Sequence, residues 1–507
     1  MAESIAARRR ARWSVWNSQK NNWSGVSMAR ISDRLGFQLM VCFCLVAASG
    51  FTLFTSCKSK TDSVAYEMTG STDDEEVPNI AVRTIGDDWS SFLGSNRDGK
   101  SKETGILTDW SAGKLRVVWS RAAKSGYAGG SVSRGRYFHF EFTEDRATLY
   151  CLNAETGESL WSYGYDSFYR DKYGYDNGPR CTPVVDGHRV YIYGAEGQLH
   201  CINVNTGKLI WKIDAAKVFG VAQNFFGVGS TPIIHGDTLI VMVGGSRSKA
   251  EPSGLEVPNE SGVVCFDKRT GEVLYGCSDE SASYSSPIIA EINGKPWCFA
   301  LCRDNLIGFD PATGEVRDSF SWRALVRESV NASTPIIRGD QIFISECYGP
   351  GSALLTIADN DKFQIEWEDS KKGRDKSMLL HWNTPILIDG FLYGSSGRGS
   401  GNAELRCVDW KTGELQWGER GLKRSSLTYV DGYMIALGEY GDLVLIRANP
   451  RKMDIVTNYE PDKSADPNAV KLASPCWGAP IVAKGLMYIR TKDKVVCFEL
   501  IPETRQN

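Results

Sequence analysis

The stretch Leu149-Tyr-Cys-Leu-Asn-Ala-Glu-Thr156-Gly157-Glu-Ser-Leu-Trp161 decides the architecture, because it returns along the chain. It recurs as Leu199 to Trp211 around Thr206-Gly207 and as Val263 to Tyr275 around Thr270-Gly271. Two further copies run from Leu306 to Gly314 around Thr313-Gly314 and from Leu405 to Trp417 around Thr412-Gly413. Each full copy reads as a hairpin: an apolar strand, a Thr-Gly turn in which Gly supplies positive φ, and a strand ending on a large aromatic residue. A second landmark precedes these units. Thr182-Pro183, Thr231-Pro232, Ser286-Pro287, Thr334-Pro335 and Thr384-Pro385 each open a short apolar strand, and most of these turn at a Gly into another strand, as Val184 to Tyr193 does at Gly187. Degenerate copies start near Ser131 and Thr428, and Ala479-Pro480 opens the last. The starting points 131, 183, 232, 287, 335, 385, 428 and 480 lie 43 to 55 residues apart, which gives eight repeats of four strands.

A four-stranded sheet of this length cannot bury both faces alone, so neighbouring sheets must stack around an axis. The predicted fold is all-β: an eight-bladed β-propeller of four-stranded antiparallel blades over 115–500. The last repeat stops at Val495 to Leu500 without a Thr-Gly turn, while Leu115 to Ser120, containing Trp119, stands ahead of the first repeat as a spare strand. That N-terminal strand is expected to complete blade eight and remove an exposed sheet edge. The 51 Gly and 15 Trp of this 507-residue chain are accordingly read as turn and packing residues.

The only long apolar run is Leu35 to Phe54, after Arg30 and Arg34 and before Thr55-Ser56-Cys57-Lys58. It reads as an export signal over 28–57. The small residues before Cys57 favour processing and lipidation at that thiol; the alternatives are an uncleaved anchor, for which about 20 apolar residues suffice, or an ordinary signal peptide. Residues 1–27 are read as a non-native or disordered extension with translation starting at Met28, against the alternative of a basic cytoplasmic tail. Residues 58–87, with Asp73-Asp74-Glu75-Glu76, are expected to be a disordered acidic tether. Residues 88–114 are read as packing on the propeller, and 501–507 as a tail. The formal charge of −3 conceals a basic leader: residues 1–56 hold seven Lys/Arg and two Asp/Glu, leaving 51 against 59 in the remainder. A mildly acidic body argues against nucleic-acid binding.

The repeat resembles the tryptophan-docking motif of pyrroloquinoline-quinone-type (PQQ-type) propellers, in which an Ala-x-Asp-x-x-Thr-Gly-x-x-x-Trp pattern locks adjacent blades. Two families share it: quinoprotein dehydrogenases and the non-catalytic lipoprotein of the outer-membrane barrel-assembly machinery. Phe54 to Cys57 resembles a bacterial lipobox, with Phe54 in place of the usual Leu. Asp88-Trp89 through Arg97-Asp98-Gly99, with Glu103-Thr104-Gly105, looks like the segment that opens many exported bacterial propellers of this type. Departures from the pattern are Asp318 where Trp is expected, Phe363 to Trp367 without Thr-Gly, and a seventh repeat without the motif.

Of 14 Cys, Cys151, Cys201, Cys265, Cys407 and Cys497 share one repeat position, where Gly308 substitutes. That pattern marks a packing slot, and neither a metal cluster nor more than one disulfide is expected. Trp119, Trp161, Trp211, Tyr275, Trp367 and Trp417 close their repeats and are assigned to inter-blade docking.

Functional residues are expected in the loops that enter the innermost strands, because these converge on the axis at one face. Tyr127, Arg180, Tyr284, Asn331, His381, Trp382 and Trp477 lie in those loops and are the candidate ligand-binding residues, suited to a polar small molecule or peptide. The glycine-rich Gly394 to Gly401 stretch reads as a hairpin loop, with an anion-binding loop as the alternative. Catalytic motifs are sparse: five His occur, with no H-E-x-x-H, G-x-S-x-G or phosphate loop. The dehydrogenase resemblance would imply PQQ with calcium, an adjacent Cys pair and a Glu, Asn and Asp trio. No two Cys are adjacent here, and the trio does not map onto the chain. The leading reading is therefore a membrane-tethered, non-catalytic propeller without a cofactor, monomeric, serving envelope or membrane proteins as a scaffold. A quinone-dependent dehydrogenase of alcohols or sugars is the alternative, and a sensor with a polar axial ligand is a third.

Overall fold

The Thr-Gly hairpin is closed by the polar residue that opens it. Asn153 Oδ1 accepts from the amides of Glu155 (2.9 Å) and Thr156 (3.1 Å), and the Gly157 amide donates to the Asn153 carbonyl at 2.9 Å. Asn203, Asp267 and Asp409 cap their own turns in the same way, accepting from Thr206, Thr270 and Thr412. In the computed structural model, which describes residues 65–71, 76–221, 225–244, 260–326 and 328–503, these hairpins are the outer halves of antiparallel sheets. Blades one to seven occupy 131–166, 184–214, 233–277, 288–321, 336–368, 386–419 and 425–458. Blade eight is made of Ile481–Ala483, Leu486–Arg490 and Lys494–Glu499, with Val117–Ala122 as its outer strand. Trp119 lies opposite Cys497 in that pairing, so the two ends of the propeller close the ring.

The apolar side chains form eight separate buried clusters, one at each blade-to-blade seam. This follows from the alternation of strands, since a sheet stacked on both faces sends its apolar residues to two different neighbours. All 11 described cysteines are buried and unbridged. The slot shared by Cys151, Cys201, Cys265, Cys407 and Cys497 is completely closed to solvent. At Gly308 a Cβ would lie 2.9 Å from the Trp297 ring, so the indole occupies the volume that the thiol fills elsewhere.

The terminal aromatics each reach the next blade. Trp119 Nε1 donates to the Ala154 carbonyl (2.9 Å), Trp161 to Val204 (2.8 Å), Trp211 to Lys268 (3.2 Å), Trp367 to Trp410 (3.0 Å) and Trp417 to Asn449 (2.9 Å); the Tyr275 hydroxyl donates to Pro311. The rings lie on the turn glycines. A Cβ on Gly271, at φ +74°, would stand 2.6 Å from the Trp211 ring, so Gly there serves both backbone conformation and close approach. At the seam between blades four and five the polarity reverses: Asp318 Oδ2 accepts the Phe363 amide at 2.8 Å.

Around the axis, the Thr-Pro and Ser-Pro landmarks form a second circuit. The Thr182 amide donates to Thr231 Oγ1 (3.2 Å), Thr231 to Ser286 Oγ (3.0 Å), Ser286 to Thr334 Oγ1 (3.4 Å) and Thr334 to Thr384 Oγ1 (3.1 Å). Each hydroxyl therefore satisfies a buried amide of the preceding blade.

The extension 1–27, the leader 28–57 with Cys57, and residues 504–507 lie outside the described residues. The described parts of the segment expected to be a disordered tether differ from that expectation. Tyr66–Met68 pairs antiparallel with the outer strand of blade two as a fifth strand, and the Tyr66 hydroxyl donates to the Thr270 carbonyl at 2.8 Å. Further on, the carbonyls of Val77 and Pro78 accept from Arg134 and Arg136, and Arg83 pairs with Glu499 at 2.7 Å. Composition made this segment a poor core former, but the open edge of blade two and the arginines of blade one supply the partners it lacks.

Candidate functional site: an axial cavity with a sealed floor

One end of the axis is closed by the segment that precedes the ring. Trp89 exchanges backbone hydrogen bonds with Val132 of blade one (2.8 and 2.9 Å), Ser90 accepts from Val185 of blade two, and Gly99 accepts from Tyr429 of blade seven at 2.9 Å. Between these anchors Arg97 sends its guanidinium to the carbonyls of Pro232 and Pro287, at the starts of the inner strands of blades three and four. Burial without a carboxylate partner pushes its pKa down to about 10. Trp89, Phe92 and Leu93 form the floor of what lies above.

Above that floor is a cavity of about 560 Å³, opening on the face where the loops enter the inner strands. Tyr127, Arg180, Tyr284, His381, Trp382 and Trp477 all line it. The seventh candidate, Asn331, does not. Its Nδ2 donates to the Cys302 carbonyl (2.8 Å) and to those of Arg303 and Trp322 (3.3 Å each), so it ties blade four to the following loop while its neighbours Val330 and Ala332 face the cavity.

The aromatic lining is continuous along one side. Ring centroids of His381 and Trp382 are 4.7 Å apart, of Trp382 and Trp477 4.8 Å, and of Trp477 and Tyr127 4.4 Å. Phe226 lies 5.8 Å from Tyr284 and 5.9 Å from Tyr175 on another part of the wall. Three guanidinium groups lie on these rings: Arg424 is 4.2 Å above Trp382, Arg398 is 4.4 Å above Tyr348, and Arg180 is 5.9 Å from Tyr127. Such contacts hold the cations in place without consuming their donors.

The electrostatics separate the three arginines. Arg180 is paired with buried Asp171 at 2.8 Å, and Arg424 with Glu439. Glu439 also accepts from Trp477 Nε1 at 3.0 Å, which fixes that indole. Arg398 has no carboxylate partner within salt-bridge distance among the described residues. His381 Nε2 is 3.1 Å from the Tyr348 hydroxyl, and burial together with Arg424 and Arg398 pushes this imidazole down to about 3, so it is neutral. Behind the wall, Glu346 is fully buried with neither carboxyl oxygen in a hydrogen bond of ordinary geometry, and burial pushes its pKa up to about 8.

Residues that loop reading did not single out include Tyr173 and Tyr175, in the connector that carries Arg180, and Tyr348 and Arg398, in the turns between the second and third strands of blades five and six. Those turns emerge on the same face as the connectors, because strands alternate in direction within each blade. The alternation was available in the four-strand repeat. The Gly394 to Gly401 stretch divides between a strand ending at Ser396 and a loop that places Arg398 at the cavity.

Residues 170–419 match the family model described as outer membrane protein assembly factor BamB. No curated protein sequence matches the chain. Among solved structures, BamB from Moraxella catarrhalis aligns with a TM-score of 0.51 at 12% identity, covering 77% of this chain and 99% of that one. The quinohemoprotein alcohol dehydrogenase from Comamonas testosteroni aligns at 0.47 with 12% identity, covering 84% of this chain and 82% of that one. A europium-containing methanol dehydrogenase aligns at 0.45 with 11% identity, over 83% and 100%. At these identities the likeness is one of fold. Residues 170–419 are thus similar to the PQQ-like repeats of that family, and the eight four-stranded blades make the chain a β-propeller.

Proposed function

We propose that this protein is an exported, membrane-tethered and non-catalytic propeller whose axial cavity binds a small anionic ligand with a flat apolar face. The observation that carries this reading is the cavity itself, about 560 Å³, with stacked aromatics along its wall and Arg180, Arg398 and Arg424 set among them. Its volume suits a small molecule. Trp382, Trp477 and Tyr127 offer faces for stacking, and Arg398 offers a charge with no carboxylate against it. The polar groups are arranged to hold rather than to react: His381 is engaged by Tyr348, and Asp171 and Glu439 are each engaged by an arginine. The match to the BamB model supports a place in the cell envelope and a role beside envelope or membrane proteins, with tethering through lipidated Cys57 or an uncleaved 28–57 anchor.

The quinoprotein alternative meets a donor set that does not suit its metal. Glu328 is the one carboxylate that lines the cavity among the described residues, Asp171 and Glu439 are each paired with a guanidinium, and no three described His, Cys, Asp or Glu side chains are grouped to hold a metal ion. The deciding experiment titrates purified protein with planar carboxylates, including the quinone with and without Ca²⁺, following tryptophan fluorescence and dye-linked oxidation of alcohols and sugars. Quenching without turnover is expected. Turnover would establish the dehydrogenase, and no quenching by any anion would leave a scaffold with an unused cavity.

A further inference from the structure

The mouth face is electrically lopsided. On the connector from blade five to blade six, Lys371, Lys372 and Arg374 are exposed, with Asp375 as the exposed acid among them. Arg398 is exposed on the turn of blade six, and Arg420 and Lys423 follow on the connector to blade seven. None of these six cations has a carboxylate within salt-bridge distance among the described residues. Glu419, beside Arg420, is a second exposed acid, whereas Asp369 is buried and accepts the amides of Ser352 and Ser377, Glu404 holds Arg406, and Glu439 holds Arg424.

The three elements are tied into one surface. Arg406 donates to the carbonyls of Lys376 (2.6 Å) and Ser377 (3.0 Å), Arg424 donates to the Arg398 carbonyl (3.1 Å), and the Tyr440 hydroxyl is 3.3 Å from Ser400 Oγ. Lys371, Lys372, Arg374, Arg420 and Lys423 thus form a basic crescent around blade six, on a chain whose body is acidic overall. Arg398 and Arg424 join it to the cavity wall. The corresponding turn of blade one exposes Glu144 and Asp145 instead, with Asp145 paired to Arg170. Apolar side chains stand at the rim next to the cavity, with Val326 and Tyr175 exposed and Leu325 fully so.

We propose that the mouth face docks an extended acidic protein segment along this crescent, with one of its side chains entering the axial cavity. The inference rests on the reading of the cavity as a binding site and names the carrier of its ligand. A crescent confined to one side of the mouth fits a strand of polypeptide. An anionic bilayer would meet Glu144 of blade one at the same time, which Coulomb repulsion disfavours. The exposed Leu325, Val326 and Tyr175 give such a segment apolar contacts that a free small anion would not use.

The test uses the full chain and a fluorescein-labelled peptide of alternating Glu and Asp with a central Tyr, read by anisotropy. The matching Gln peptide and phosphatidylglycerol vesicles are compared. Binding of the acidic peptide is expected to weaken steeply with salt and by at least about tenfold in K371E/K372E/R374E. Arg420→Glu alone provides a milder variant should the triple one fold poorly. Quenching by the small planar anion should be unchanged in both, because none of these residues lines the cavity. Equal affinity for the Gln peptide, unchanged peptide binding in both variants, or preference for the vesicles would overturn the proposal. Peptide binding without any small-anion quenching would retain the docking surface and remove the cavity reading alone.

Discussion

The indole Nε1 of Trp211, on the outer strand of blade two, donates to the carbonyl of Lys268 in the Thr-Gly turn of blade three, 3.2 Å away. The same indole is fully buried and covers Gly271. One side chain thereby fills a seam, satisfies a turn carbonyl and holds two sheets that share no strand. Trp211→Ala should lower stability by about 3–5 kcal/mol, the usual range for truncating a large buried aromatic. Thermal denaturation followed by circular dichroism measures this, and quenching by cavity anions should be unaffected. An unchanged melting temperature would refute the docking role.

Asp318 takes the place of an aromatic at one seam, accepting the Phe363 amide instead of donating to a carbonyl. Asp318→Ala leaves that amide without its partner and should destabilise by about 1–3 kcal/mol, whereas Asp318→Asn keeps an acceptor and should lose less. Urea midpoints of the two variants check the ordering. If Asn is as damaging as Ala, the carboxylate charge toward Lys362, 3.2 Å away, matters more than the acceptor.

Two buried groups give stability opposite slopes with pH. Burial and then Arg490 push His139 down to about 4, so the unfolded chain takes up this proton more readily and stability falls as pH drops below 6.5. Glu346 is the reverse. Its folded carboxyl keeps a proton to about pH 8 while the unfolded one ionises near 4.5, so stability falls as pH rises between those values. Of the two, Glu346 alone acts between pH 6.5 and 8, and the loss there is on the order of 2 kcal/mol. Chemical unfolding of Glu346→Gln at both pH values should show that loss removed. A variant with the parent's slope would place the titration elsewhere.

Arg97 holds the floor of the cavity to blades three and four through two proline carbonyls. Each hydrogen bond from a charged group is worth about 1.5–3 kcal/mol, so Arg97→Gln should loosen 88–101 before it unfolds the ring. Chymotrypsin should then cleave near Trp89 or Phe92 well below the melting temperature. Resistance equal to that of the parent would mean that the backbone pairs at Trp89 and Gly99 suffice.

The repeat made the propeller legible because its period is chemical. An Asx that caps a turn, a Gly that must take positive φ and an aromatic that needs a neighbour's carbonyl recur wherever the same hairpin recurs. The loops that enter the inner strands were legible for the same reason, and six of the seven residues chosen from them line the cavity. Asn331 lies outside that lining because the carbonyls of Cys302, Arg303 and Trp322 claim its amide. The acidic stretch before the propeller reads as disordered because composition registers how little apolar surface it can bury, and not the open edge of blade two that Tyr66–Met68 completes.

The sequence by itself determined the blade count, the closing strand and the face on which the connector loops converge, since these depend on local turns and on strand alternation repeated eight times. Only the tertiary structure decided that Arg97 and Trp89 seal one end of the axis, that Arg398 and Arg424 stand over aromatic rings at the other, and that a basic crescent flanks the mouth. These features join residues up to hundreds of positions apart. Their spacing in the chain carries no period, and their meeting is set by where eight stacked sheets bring unrelated turns together around one axis.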